Sequence, residues 1–281
     1  MPELPEVEVV RQGLAPRLMG RRFLRIVQGE KSLRRQSSVR DLQKWLIGRK
    51  LTDLSRRGKY LVFGLEGGVT LLVHLGMTGH LLLAAEATPF PPLEHIHLIF
   101  HLEGGLELIY QDLRRFGQVL VFPPGNTPLP LENLGREPLS PETTAQWLAD
   151  QARGRSRPIK NFLLDGRILT GIGNIYACEI LFAAGIHPAT PVGRLVAEDW
   201  DRILTETRRI LQEAIRQGGT TVANYLNSRG EAGLFQVQLL VYGKAGEPCR
   251  RCGALIARLV QAGRSTFFCP VCQPLSARGP R

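Results

Sequence analysis

The residues with the clearest chemical potential stand at the head of the chain, "MPELPEVEVV", where two prolines and two glutamates fall within six residues. Removal of the initiator methionine would leave Pro2 with a free secondary amine. An α-amino group titrates at roughly 8 in a reference peptide; a lysine, at roughly 10.4, needs burial or a cationic neighbour to match it. A secondary amine attacking a sugar carbon gives an iminium cation, a covalent electron sink that acidifies neighbouring C–H bonds. Glu3 is placed to act as general acid and base, and Glu6 to orient or stabilise charge. A plainer reading explains part of the segment. Pro5 opens a helix through Val7, Val10 and Leu14, with Glu6 and Glu8 at its positive end, and Pro2 and Glu3 are then left without a reason.

A second constellation lies near the other end. Cys249, Cys252, Cys269 and Cys272 follow the pattern C-x2-C-x16-C-x2-C, a spacing that lets four thiolates meet one tetrahedral Zn²⁺. Four cysteines leave no open coordination position, so the metal is expected to be structural. Between the pairs, "ALIARLVQAGRSTFF" reads as strand, turn at Gly263, strand, with Arg264 at the tip. The fifth cysteine, Cys178, stands alone in an apolar helical stretch and is expected in the core.

These residues need a scaffold, and the composition bounds it. At 281 residues the chain is long enough for two domains with separate cores. No run of about eighteen apolar residues occurs and the start lacks a signal-peptide pattern, so a membrane or secreted protein is not expected. The formal net charge is +11. Between Arg11 and Lys59 fifteen Lys or Arg face three acidic residues, and from Cys249 onward there are six Arg and no acid. Two basic regions at opposite ends of one chain point to a polyanion held between them, with nucleic acid the leading candidate.

From about residue 20 to 122 short β-type runs recur: "RFLRIV", "KYLVFGL", "VTLLVHL", "HIHLIFHL", "LELIY" and "QVLVF". They predict an antiparallel sandwich or barrel. Residues 123–141, rich in proline, read as a connection. Beyond them "WLADQAR", "PIKNFLLD", "IYACEILFAAG" and "EDWDRILTETRRILQEAIRQGG" are helical. The last places Trp200, Ile203, Leu204, Ile210, Leu211, Ala214 and Ile215 on one face and stops at Gly218-Gly219. "LLDGRILTGIGNIYACE" joins two helices through a glycine-containing turn, with Asn174 placed to cap the second. "HLGMTG" and "DLRRFG" set Met77, and Arg114 with Phe116, on turns, where an apolar wedge and an arginine could enter a base stack. His95, His97 and His101 have strand spacing and no fourth ligand nearby, so they read as sheet surface or core.

Taken in order, "PELPEVE", "RRGKYL", "HLGMTG", "DLRRFG", "LGREPLS", "IKNFLLD", "GIGNIYACE", "GGTTVANYLN", "LFQVQLLVYG" and "CRRCGALI…GRSTFFCPVCQ" resemble the formamidopyrimidine-DNA glycosylases, bacterial 8-oxoguanine repair enzymes. The match runs from Pro2 to Gln273. It implies an α+β fold: an N-terminal antiparallel β-sandwich with an N-terminal helix (1–130), a helical helix-two-turns-helix domain (131–240), and a zinc-stapled hairpin with a basic tail (241–281). It further implies that Pro2 attacks C1′ of the damaged nucleotide, with Glu3 as acid–base partner, Glu6 in support and Lys59 as an active-site hairpin lysine.

By the same resemblance Met77, Arg114 and Phe116 fill the gap left by a flipped base, Arg114 facing the estranged cytosine. His74, Asn174, Tyr242 and Arg264 contact phosphates, Lys160 influences oxidised-purine processing, and 218–236 is the loop that closes over the base. The implied partner is double-stranded DNA containing oxidised purines; the implied cofactor is one structural Zn²⁺, with no nucleotide cofactor, in a cytoplasmic monomer. The endonuclease VIII type fits less well, since it usually has glycine where Leu4 stands. A non-catalytic DNA-binding zinc-finger protein would have no need of Pro2, Glu3 and Lys59. Leu113 departs from the proline usual in the family.

Overall fold

The computed structural model describes residues 2–85, 94–219 and 239–275. By its contacts the chain divides into two compact units, Met1–Glu132 with Ile215–Gln236, and Asn133–Ala214 with Val237–Arg281.

The first unit opens with helix α1 (Leu4–Leu18), whose N-cap is Glu3. Pro5 is its second residue, a position where the missing N–H costs nothing. Leu4, Val7, Val10, Leu14 and Leu18 are all buried, each worth about 1.5–3 kcal/mol for leaving water. Two sheets follow. One has the order β1 (Phe23–Gln28), β7 (Ile96–Leu102), β8 (Leu106–Asp112), β6 (Gly79–Ala85). The other has the order β2 (Arg35–Gln36), β9 (Gln118–Phe122), β5 (Val69–His74), β4 (Tyr60–Leu65), β3 (Leu51–Arg57). All pairings are antiparallel except β2 with β9. Helix α2 (Val39–Leu46), N-capped by Ser38, and α1 contribute to a core that includes Phe23, Phe63, Leu71, Phe100 and Tyr110. The expected sandwich is present.

The second unit contains α4 (Ala145–Ala152), α5 (Ile159–Leu163), α6 (Asn174–Ala184), most of α7 (Ala197–Arg216) and the hairpin β10 (Ala257–Gln261)–β11 (Arg264–Phe268); a short α3 (Leu129–Glu132) precedes it, inside the stretch read as a connection. Helix α7 buries Trp200, Ile203, Leu204, Leu211 and Ala214, as its period predicts, with Thr207 on the same face; Ile210 and Ile215 are only half-buried. Cys178 is buried among Phe182, Val241 and Cys249. The zinc hairpin therefore packs on α6 and does not stand apart from the helices.

One expectation fails locally. Asn174 does not cap α6. The N-cap is Gly173, and Asn174 is the first helical residue, its side chain committed elsewhere.

Candidate active site

Glu3 and Glu6 are each 2% exposed. The Glu3 N–H donates to Glu6 Oε2 at 2.8 Å, one half of a reciprocal capping box. Glu6 thereby fixes the backbone one residue after Pro2, and Pro2, half-buried, is held at the mouth of a rigid helix and not on a loose tail. Gly219, with φ +86°, lies so close that a Cβ there would stand 3.3 Å from Glu6 Cγ, a contact that no local pattern signals. Residues 220–236 of the expected closing loop lie outside the described residues, as do Met1 and the end of the basic tail.

Lys59 occupies the second position of the two-residue turn between β3 and β4, after Gly58 at φ +58°, the left-handed conformation that tight hairpins favour at that place. Register then gathers the other turns. Tyr60 pairs with His74, and His74 with Gln118, so the turns bearing Lys59, Met77 and Arg114 with Phe116 emerge at one end of the five-stranded sheet. The Met77 and Arg114–Phe116 turns both cross from one sheet to the other, from β5 to β6 and from β8 to β9.

These crossings touch. Gly76 lies against Gly117, where a Cβ on Gly76 would meet the Gly117 nitrogen at 2.5 Å, and a Cβ on Gly117 would overlap the Tyr110 hydroxyl. The glycines of both motifs are therefore needed for close approach. Met77 is 41% and Phe116 37% exposed, far from the core position a methionine and a phenylalanine would ordinarily take. Arg114 is exposed, and its guanidinium lies 4.9 Å from the Phe116 ring centre, with that of Arg34 at 4.4 Å. Arg115 adopts φ +60°, the strained residue of this turn.

His74 ends β5, its ring tilted on Tyr60 at 4.7 Å between centres. Its Nδ1 accepts the Gly76 N–H at 2.9 Å, which assigns the proton of the neutral ring to Nε2. Burial, and then the positive charge of Lys59, push its pKa down to about 4 in spite of Asp112. It is thus a neutral N–H donor at physiological pH. His97 is buried and His101 half-buried within the sheet, while His95 precedes β7 with an exposed side chain; among the described residues none joins a metal-binding cluster.

In the second unit the expected contact residues converge on the hairpin turn. Ala262 and Gly263, both at positive φ, form a two-residue turn closed by Gln261 and Arg264, so Arg264 is exposed beside the tip and not at it. Asn174 Nδ2 donates to the Ser265 carbonyl at 2.9 Å. Lys160 is fully buried; its ammonium donates to Thr266 Oγ1 at 2.6 Å and to the Ser265 carbonyl at 3.2 Å. Lys160 is therefore not on the surface, and these two hydrogen bonds tie it to the hairpin. Tyr242, edge-on to Phe267, is held by Glu179, whose carboxylate accepts the N–H groups of Leu240, Val241 and Tyr242 at 2.8–3.0 Å. Sequence reading missed Glu179; its only signal was a carboxylate inside an otherwise apolar helix.

The four expected metal ligands come together. Their sulfurs lie within 4.8 Å of one another, with Cys252–Cys269 at 3.4 Å and Cys249–Cys272 at 3.9 Å. A tetrahedron of thiolates about 2.3 Å from Zn²⁺ places sulfurs roughly 3.8 Å apart, so the set fits the ion. Gln273, fully buried, takes the Cys269 N–H and donates to the Ile186 carbonyl, fixing the site to the loop after α6.

Comparison with known proteins places the whole chain beside one family. Three family models match: the formamidopyrimidine-DNA glycosylase N-terminal domain over residues 1–119, the H2TH domain over 134–225, and the zinc finger found in FPG and IleRS over 246–275. A formamidopyrimidine-DNA glycosylase of Cupriavidus pinatubonensis is 43% identical, covering 97% of this chain and all of that one. Two solved structures of the Lactococcus lactis Fpg are each 36% identical over 97% of the chain. One is a complex with DNA containing an abasic site (TM-score 0.87, 99% of that chain covered) and the other a complex with DNA containing Fapy-dG (TM-score 0.86, 100% covered).

Proposed function

The chain belongs to the formamidopyrimidine-DNA glycosylase family, and we propose that Pro2 is the nucleophile through which it excises oxidised purines from duplex DNA and cleaves the resulting abasic site. It is a glycosylase and lyase of base-excision repair with one structural zinc held by Cys249, Cys252, Cys269 and Cys272. The observation that carries the assignment of Pro2 is the buried Glu3–Glu6 pair immediately behind it, which gives the amine a fixed place and a carboxyl group within one residue.

The chemistry follows from the amine. With Met1 removed, the unprotonated nitrogen of Pro2 attacks C1′ and the C1′–base bond breaks, the departing base taking a proton. Loss of the nitrogen's own proton and opening of the sugar ring leave a C1′=N⁺ iminium. The iminium acidifies C2′; removal of that proton, with Glu3 the acid–base group, expels the 3′ phosphate, a second elimination releases the 5′ phosphate, and water hydrolyses the C1′=N⁺ bond to free the sugar remnant and the Pro2 amine. Lys59 contacts phosphate beside the site. Met77, Arg114 and Phe116 fill the space of the extruded nucleotide, whose unstacking costs a few kcal/mol, and His74, Asn174, Tyr242 and Arg264 hold phosphates. The division of labour is a catalytic sandwich at 1–130, helical DNA binding at 131–240 and the zinc hairpin from 241. The setting is the bacterial cytoplasm and the enzyme acts as a monomer.

Borohydride trapping tests the reading. On duplex DNA with one 8-oxoguanine opposite cytosine, hydride reduces the iminium to a stable amine, and peptide mapping is expected to find the cross-link on Pro2. Tight lesion binding without a cross-link would withdraw the catalytic assignment and leave a damage reader on a glycosylase fold.

A further inference from the structure

We propose that Asp112 is a positioning residue that locks the Met77 turn and the Arg114–Phe116 turn into one rigid wedge. Asp112 is wholly buried at the end of β8 and belongs to neither the nucleophile nor the phosphate contacts. Its Oδ1 accepts the Thr78 hydroxyl at 2.5 Å and the Arg114 N–H at 3.2 Å, and its Oδ2 accepts the Gly117 N–H at 2.8 Å. Thr78 Oγ1 in turn lies 3.1 Å from the Arg114 nitrogen. One carboxylate therefore bonds the residue after Met77, the backbone of Arg114 and the residue after Phe116.

Its backbone is fixed as well. The Asp112 N–H donates to the His95 carbonyl at 3.1 Å, and the His97 ring stands 2.8 Å from the Asp112 carbonyl through Nε2 and 2.6 Å from the Lys31 carbonyl through Nδ1. Below, the Tyr110 hydroxyl donates to the His74 carbonyl at 2.9 Å. The two turns rest on one buried support, and their glycines press together above it.

A buried carboxylate costs several kcal/mol unless its lone pairs are filled, and here they are filled by groups from both turns. The arrangement needs an acceptor on each side, which an amide lacks: Asp112→Asn sets an NH₂ against either the Gly117 N–H or the Thr78–Arg114 pair. Loosening the wedge affects flipping and the reading of the opposite base. An abasic nucleotide has no base to extrude and depends on the wedge much less.

The inference rests on the proposed function, so its test separates the two. Excision of 8-oxoguanine opposite cytosine and opposite adenine is measured beside cleavage of a preformed abasic site, for the wild type, Asp112→Asn, Thr78→Ala and Thr78→Ser. Asp112→Asn is expected to slow excision opposite cytosine at least about tenfold, equivalent to 1.36 kcal/mol of barrier, to flatten the cytosine-to-adenine preference, and to slow abasic-site cleavage much less than excision. Thr78→Ala is expected to move the same way, and Thr78→Ser, which keeps the hydroxyl, to restore it. A parallel loss of both activities would reduce Asp112 to general stability, and unaltered opposite-base preference in a folded Asp112→Asn would also overturn the proposal. No borohydride cross-link in the wild type would instead refute the catalytic reading.

Discussion

Arg56 donates through Nε to Glu8 Oε2 at 3.1 Å, and the same guanidinium donates through Nη1 to the Gly58 carbonyl at 2.9 Å. Both side chains are largely buried, at 10% and 14% exposure. Glu8 is the fifth residue of α1, which begins directly after Glu3, and Gly58 precedes Lys59. The pair therefore ties the helix that presents the proposed nucleophile to the hairpin that presents the proposed lysine.

Arg56→Ala removes one of the two guanidinium partners of Glu8 among the described residues and leaves Arg11. Its cost is expected to be about 2 kcal/mol, the price of a buried charged hydrogen bond, read as a lower urea midpoint at unchanged slope. Turnover is expected to fall for glycosylase and lyase steps together, since Pro2 and Lys59 are proposed to serve both. Arg56→Lys keeps the charge and loses the second hydrogen bond, and is expected to lie between. An Arg56→Ala enzyme with wild-type stability and turnover would show that the helix and hairpin hold their places independently.

His74 gives a prediction in pH and one in salt. Its folded pKa, about 4, is below the 6.5 of an exposed histidine. The unfolded chain therefore takes up this proton first as pH falls. The contribution of His74 to stability is complete above pH 6.5 and is lost as pH drops through the window down to about 4. Nitrogen-detected NMR is expected to show the Nε2–H tautomer at neutral pH with a midpoint near 4, and a midpoint near 6.5 would contradict the hydrogen-bond assignment. Because the ring is neutral, His74→Ala is expected to weaken DNA binding without changing the slope of log K against log salt, which counts released counterions.

The parts that were legible in sequence are those whose chemistry depends on residue type and local spacing. Four cysteines at zinc spacing, a proline and two carboxylates ahead of a helix, and glycines beside a methionine and an arginine each carry their own reason. Strand β6, "GHLLLAA", was not read because its burial is nearly continuous and has no alternation. Strand β3 was missed because an irregular register between Leu51 and Asp53 breaks its period of two. Asp112, Glu179 and the burial of Lys160 were beyond reach for a different reason. Each has partners far away in the chain, Ser265 and Thr266 for Lys160, and nothing local distinguishes a buried lysine from a solvated one.

Lys160 and Arg264 provide the last contrast, since both are basic, both were expected to influence DNA, and only one reaches the surface. Arg264→Ala removes an exposed side chain beside the hairpin turn; it is expected to leave the melting temperature unchanged, to weaken DNA binding, and to reduce the salt slope by about 1 if the guanidinium meets one phosphate. Lys160→Met removes an ammonium from a closed environment and leaves the Ser265 carbonyl and the Thr266 hydroxyl oxygen each short of a donor. The expected cost is about 1–3 kcal/mol of stability, with weaker DNA binding as Ser265 and its neighbour Arg264 lose their support, and with the salt slope unchanged. Thr266→Val, which removes only the hydroxyl, is expected to follow Lys160→Met in direction. A Lys160→Met protein that melts normally while its salt slope falls by a full unit would mean that the lysine leaves its buried seat to meet the phosphate itself.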